Sequence, residues 1–146
     1  MRKVIGLVGT LGCGKGVVAE FLKQRGFSYL SLSDTLREIA APLGLSDHRN
    51  TLIVIGTTLR EKFGNDILAR GAQQKVVSSK GDFVIDSIRT ALEVEFLKKE
   101  LNAFVIGITA SPERAFGFVR ERNRQGDPLE HAELRSDPDV WLRLCD

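Results

Sequence analysis

The chain has 146 residues, 42% of them hydrophobic and 27% charged, with a formal net charge of +2. That length suits one globular domain with a buried core. The balanced charge argues against nucleic acid as the main partner, and no apolar run approaches the length of a membrane span. Cys13 and Cys145 stand far apart without metal-ligand spacing, which fits two free thiols in a reducing cytoplasm.

Apolar runs alternate with segments of helical period, the pattern of an α/β fold with a mainly parallel sheet and helices on both faces. Val4 to Val8 reads as a buried first strand. A helix from Lys15 to Lys23 follows, with Val18, Phe21 and Leu22 on one face and Gly26 as its C-cap. Phe27 to Leu30 predicts a short strand. Ser33 or Asp34 then caps a helix to about Ala41, broken by Pro42 and Gly44. Leu52 to Ile55 is β-like locally, but the length of Asp47 to Phe63 and the stop at Gly64 predict a helix. Asp66 to Val77 is a further helix, Phe83 to Asp86 a buried strand, Ala91 to Lys99 a helix and Phe104 to Ile108 a strand. Ser111, Pro112 and Glu113 form a helix start of cap, proline and acid. The charged segment 120–135 has no strong period and reads as a flexible lid.

Gly9-Thr10-Leu11-Gly12-Cys13-Gly14-Lys15 sits between a strand and a helix, the context a phosphate-binding P-loop requires. Glycines let successive backbone N–H groups turn inward around phosphate oxygens, and the helix N-terminus adds its positive end. Lys15 would reach the terminal phosphates and offset charge developing during transfer. The bland alternative is a glycine-rich connection and nothing more. Position 16 departs from the usual loop, in which a Ser or Thr hydroxyl binds Mg²⁺. Gly16 and Val17 both lack one, so a weakened metal site is expected beside an intact phosphate site.

Asp86 ends the strand FVID, where a carboxylate can bind Mg²⁺ directly or through water; otherwise it caps the turn that follows. Arg89 lies just beyond, at the strand end where open α/β sheets bind ligands. Its planar guanidinium suits an anionic acceptor, with a surface salt bridge as the alternative. Arg114, Arg120, Arg122 and Arg124 cluster near the lid. Arg120 and Arg124 are the first candidates to cover donor phosphates, against the alternative of simple pairing with Glu113 and Glu121. His48 and His131 are isolated and make no metal-ligand set. Cys13 sits within the loop, where alkylation would cost binding.

The stretches GTLGCGKG, LSDTLRE, TTLREKFG, FVIDSIRT and ITASPERAF together resemble the nucleoside monophosphate kinase-like branch of P-loop proteins. Adenylate kinase-like and dephospho-CoA kinase-like proteins, and P-loop domains that precede deoxycytidylate deaminases, are similar in these stretches. Adenylate kinases also read Gly-Lys-Gly at the loop, then supply a threonine where Val17 stands. The resemblance runs from Val4 to about Leu134. It implies a parallel five-stranded core, ATP as donor with Mg²⁺, and transfer to a small phosphorylated acceptor. It gives Arg37 the acceptor phosphate, with Ser33 and Asp34 at the helix start, and Arg89 joins it from the strand-end reading above. Leu32 stands where the family has a threonine near the acceptor. The family continues with another strand and helix, whereas this chain stops at Asp146, so it reads as a fragment or a naturally short protein. A missing edge strand favours homo-oligomers or instability. The reading that follows is a single cytoplasmic domain, 1–146, that transfers phosphate from ATP to a nucleoside or deoxynucleoside monophosphate. A non-catalytic nucleotide-binding module is the alternative.

Overall fold

The computed structural model describes residues 2–122, and Arg124, His131 and most of the lid-like segment lie outside them. Four strands are described: β1 (Val4–Val8), β2 (Ser28–Ser31), β3 (Phe83–Asp86) and β4 (Phe104–Gly107). They form a parallel sheet in the order β2-β3-β1-β4. Six helices connect and cover them: α1 (Lys15–Lys23), α2 (Leu32–Ala40), α3 (Arg49–Phe63), α4 (Ile67–Ser78), α5 (Ala91–Leu101) and α6 (Pro112–Arg122). The predicted α/β architecture with a parallel sheet is what the structure shows. Because every strand runs the same way, the loops after β1, β2 and β3 gather at one carboxyl edge.

Alternation along β1 sorts the core into two layers. Leu7 and Val84 pack with Ala19 of α1, backed by Ile5, Val18 and Leu22. On the opposite face Val4, Val8, Phe83 and Ile85 meet Leu36 of α2, Leu52 of α3, Leu68 and Val76 of α4, and Leu97 of α5. Both faces of the central strands are thereby dry, which explains why β1 and β3 read as unbroken apolar runs.

Local chemistry adjusts several expected boundaries. On α1 the buried residue is Ala19, whereas Phe21 is exposed with the Arg25 guanidinium 3.4 Å above its ring. Stacking of a cation on the aromatic face accounts for a phenylalanine left outside the core. The helix ends at Lys23, with Gln24 at the C-cap. Left-handed Gly26 closes the next turn, its amide 3.0 Å from the Lys23 carbonyl. Neither Ser33 nor Asp34 caps α2. Ser31 does so, its Oγ accepting the Ser33 amide at 3.2 Å, because the strand runs one residue further than its apolar pattern. The sequence from Asp47 to Phe63 is helical from Arg49, and Gly64 terminates it as expected.

Helix α5 starts with a reciprocal cap. The Thr90 hydroxyl accepts the Glu93 amide at 3.1 Å and donates to the Asn65 carbonyl at 2.9 Å, while a Glu93 carboxylate oxygen accepts the Thr90 amide at 3.1 Å. Thr90→Ala removes both roles of the hydroxyl and is predicted to lower unfolding stability by about 1–2 kcal/mol in urea denaturation, with β-sheet circular dichroism retained.

Candidate functional site

The turn between β1 and α1 is built on glycines with positive φ: Gly9 at 153°, Gly12 at 75° and Gly14, the α1 N-cap, at 101°. Two of them also admit no side chain. A Cβ on Gly9 would stand 2.2 Å from the Ile108 carbonyl oxygen, and one on Gly12 would stand 2.3 Å from that of Ala115. The loop is therefore pressed against the end of β4 and against α6. Leu11 and Cys13 are buried beneath it. Lys15 folds back over the loop, its ammonium donating to the carbonyls of Gly9 at 2.7 Å and Thr10 at 2.8 Å, and lying 3.7 Å from the Cys13 sulfur.

This loop forms one wall of an open cleft of about 790 Å³ at the carboxyl edge of the sheet. Gly9, Leu11, Gly12, Cys13, Gly14, Lys15, Gly16 and Val17 all line it. Gly16 has nothing within 4 Å of a notional Cβ, and Val17 is 70% exposed. Space for a hydroxyl thus exists at position 16, and its absence is a matter of sequence rather than of packing.

The facing wall collects Ser33, Asp34 and Arg37 from α2, Arg49 and Arg60 from α3, Asp86 at the end of β3 and Arg89 just beyond it. The structure thus brings Lys15, Asp86, Arg37 and Arg89 to one cleft. Arg37 pairs with Asp34 at 2.8 Å. Asp86 stands level with Ser31 on the neighbouring strand, and its carboxylate accepts the Ser87 amide at 2.6 Å and the Tyr29 hydroxyl at 3.3 Å. Asp86 therefore caps its own turn, the second of its sequence alternatives, and also lines the cleft. Ser87, left-handed at φ 62°, hydrogen-bonds Ser31 through the two hydroxyls at 2.9 Å and ties the ends of β2 and β3 together.

Arg120 is exposed, with its guanidinium 5.9 Å from the Phe116 ring, and does not line the cleft. Phe118 and Arg122 of the same helix do. Arg124 lies outside the described residues.

Sequence reading missed Tyr29 and Ser31, set the cleft-lining His48 aside as isolated, and overlooked the cleft face of α3. That face was legible as a stripe at helical spacing through Arg49, Leu52, Ile53, Thr57 and Arg60. Glu93 was also missed, although Thr90-x-x-Glu93 is a capping-box signature. Its carboxylate, 0% exposed, accepts Arg60 Nη2 at 2.8 Å and Nε at 3.2 Å, and the Arg89 amide at 2.7 Å. Among the described residues no group of three or more His, Cys, Asp and Glu forms a metal cluster, and no helix is long and apolar enough to cross a membrane.

A strand–glycine loop–lysine–helix unit beside a strand ending in aspartate, within a parallel sheet of this order, defines a P-loop kinase-like fold. Residues 8–135 match the AAA domain family AAA_17, to which the chain belongs. The UPF0200 protein of Methanothermobacter thermautotrophicus is 31% identical over 133 residues, 90% of this chain and 67% of the relative. That of Staphylothermus marinus is 28% identical, over 86% of this chain and 66% of its own length. The chain spans about two thirds of these relatives. Among solved structures, a shikimate kinase from Acinetobacter baumannii in complex with shikimate is similar, with a TM-score of 0.59 at 21% identity, covering 99% of this chain and 78% of its own.

Two outcomes follow from this geometry. Gly12→Ala forces a left-handed alanine into the Ala115 carbonyl. It is predicted to cost more than ~1 kcal/mol in denaturant unfolding, whereas Gly16→Ser, with open space and helical backbone, changes stability by less than ~1 kcal/mol. Tyr29, the single tyrosine, is pushed from 10.0 up to about 12, first by desolvation and then by the Asp86 charge. An ultraviolet titration is predicted to show phenolate only near that value and at lower pH in Asp86→Asn. The shift makes the folded state the tighter proton binder, so its contribution to stability is complete below pH 10.0 and is lost as pH rises toward about 12.

Proposed function

We propose that the chain is an ATP-dependent phosphotransferase whose acceptor is a nucleoside or deoxynucleoside monophosphate. The observation that carries this reading is the placement of Lys15 and its glycine loop across one cleft from Arg37 and Arg89, with Asp86 on the intervening strand end. Loop amides and Lys15 would hold the donor phosphates, and the arginines would hold the acceptor's anionic group. Ser33 and Asp34 stand beside Arg37 on the first turn of α2. Catalysis on this scheme is alignment plus stabilisation of charge on the transferring group, without a covalent intermediate.

Asp86 suits Mg²⁺ carried by the nucleotide, since this ion needs one or two carboxylates and keeps several waters. It would supply charge neutralisation at the phosphates. Gly16 and Val17 offer it no hydroxyl, so Asp86 and the nucleotide carry the whole site. Arg120 and Arg124 remain candidates for the donor side. The reading goes with a cytoplasmic, nucleotide-binding enzyme with small-molecule partners.

Gly16 and Val17 also favour a second reading, a nucleotide-binding module without turnover. ADP formation from Mg²⁺-ATP separates the two, measured with nucleoside and deoxynucleoside monophosphates, dephospho-CoA and shikimate, each against water alone. A kinase gives ADP with one acceptor class, and Lys15→Ala lowers that rate by about a hundredfold or more. Val17→Thr is predicted to raise Mg²⁺-dependent turnover. ATP binding with silence across the panel, unchanged in Val17→Thr, would favour the module.

A further inference from the structure

Glu93 is the one charged residue among the buried residues described, and only half of its bonding serves the helix cap. Oε2 accepts the amides of Arg89 and Thr90, at 2.7 and 3.1 Å, which satisfies the start of α5. Oε1 is given over to Arg60, at 2.8 Å from Nη2 and 3.2 Å from Nε. Capping alone does not need that second engagement. Arg60 reaches in from α3, 33 residues away in sequence, and its side chain keeps 14% of its surface exposed on the cleft wall.

Both bonds use the Nε–Nη2 edge of the guanidinium and leave Nη1 outside the pairing. Gly56, one turn earlier on α3, makes the room: a Cβ there would stand 3.1 Å from Arg60 Nη1. An arginine anchored along one edge by a carboxylate is held in a single orientation, so it loses little freedom on meeting a second anion. A lysine could not be aimed this way.

We infer that Glu93 is a positioning residue for the acceptor side of the cleft. One oxygen orients the Arg60 guanidinium on the cleft wall while the other fixes the Arg89–Thr90 backbone, and Arg60 becomes a further anion-binding arginine beside Arg37 and Arg89. The shared carboxylate also ties α3 to the turn after β3, so the two sides of the acceptor region move together. This inference rests on the phosphotransferase reading for the word acceptor, but the anion site itself can be tested apart from it.

The test follows the Arg side-chain Nε–H signals by NMR, with the Arg60 signal assigned through Arg60→Lys. The loop is first saturated with a non-hydrolysable ATP analogue, and inorganic phosphate is then titrated as the probe. The wild-type Arg60 signal is expected to shift saturably with phosphate. Glu93→Gln retains an oxygen for the cap but loses the charge opposite Arg60. It is expected to weaken that response by about tenfold or more, with the analogue's affinity within about twofold of wild type. An unmoved Arg60 signal in the wild type overturns the inference. So does a folded Glu93→Gln protein that responds to phosphate as the wild type does, since a purely structural pair would behave that way. Should Glu93→Gln not fold, Arg60→Lys decides through the Arg89 signal. It keeps a cation against Glu93 but loses the fork, and a phosphate response weaker by about tenfold supports the site while an unchanged one overturns it. If the analogue fails to bind the wild type, the phosphotransferase reading falls, and the phosphate titration still decides the role of Arg60.

Discussion

A carboxylate cannot be removed from water without compensation of several kcal/mol, and Glu93 is fully removed. Its compensation comes from four N–H groups: two from Arg60, one from Arg89 and one from Thr90. Its place in the first turn of α5 adds the positive end of the helix. The charge is affordable only while α3, α5 and the turn after β3 keep their present relation. Loss of one partner from such a pair typically costs 3–5 kcal/mol, which makes this contact the constraint that holds the cleft's far wall to the sheet.

The near wall is held by a different constraint, close approach of backbone. Gly9 and Gly12 let the loop lie against Ile108 and Ala115 with no intervening side chain. The loop thereby takes its position from β4 and α6 as well as from its own strand and helix. Lys15, with its ammonium on the Gly9 and Thr10 carbonyls, has its charge gathered at the loop rather than ranging through solvent. On the proposed phosphotransferase reading, a cation already held beside the loop amides would have only a short way to move to meet a phosphate in the cleft.

The elements that sequence revealed are those whose signal is local. Val4 to Val8 and Phe83 to Ile85 are apolar on both faces, so their burial needs no partner to be recognised. Gly64 and Pro42 mark their breaks by backbone chemistry alone. The glycine loop was equally legible, since its signature resides in contiguous residues. Where the outcome depended on one particular partner, near or far in sequence, the pattern misled or stayed silent. Phe21 looks like core until Arg25 is seen to cover it. Ser33 and Asp34 look like caps until β2 is seen to pair through Ser31 with Asp86. Arg60 and Glu93 drew no reading from sequence, because nothing within either helix announces the other.

The same distinction bears on what the cleft can recognise. Six Lys and Arg side chains line it against three aspartates, in a chain whose net charge is only +2. The basic charge is therefore concentrated where the loop, α2, α3 and α6 converge. Yet charge alone does not select a ligand here, since Arg37 is already paired with Asp34 and Arg60 with Glu93. Each pairing lowers the net field and at the same time fixes a guanidinium plane. The cleft gives up some long-range attraction in exchange for directed donors, and directed donors discriminate among anions by shape. A flat, forked arrangement suits a tetrahedral phosphate or a carboxylate at a defined point far better than a diffuse polyanion. On the proposed reading, such a cleft suits a compact acceptor whose anionic group is held between α2, α3 and the turn after β3.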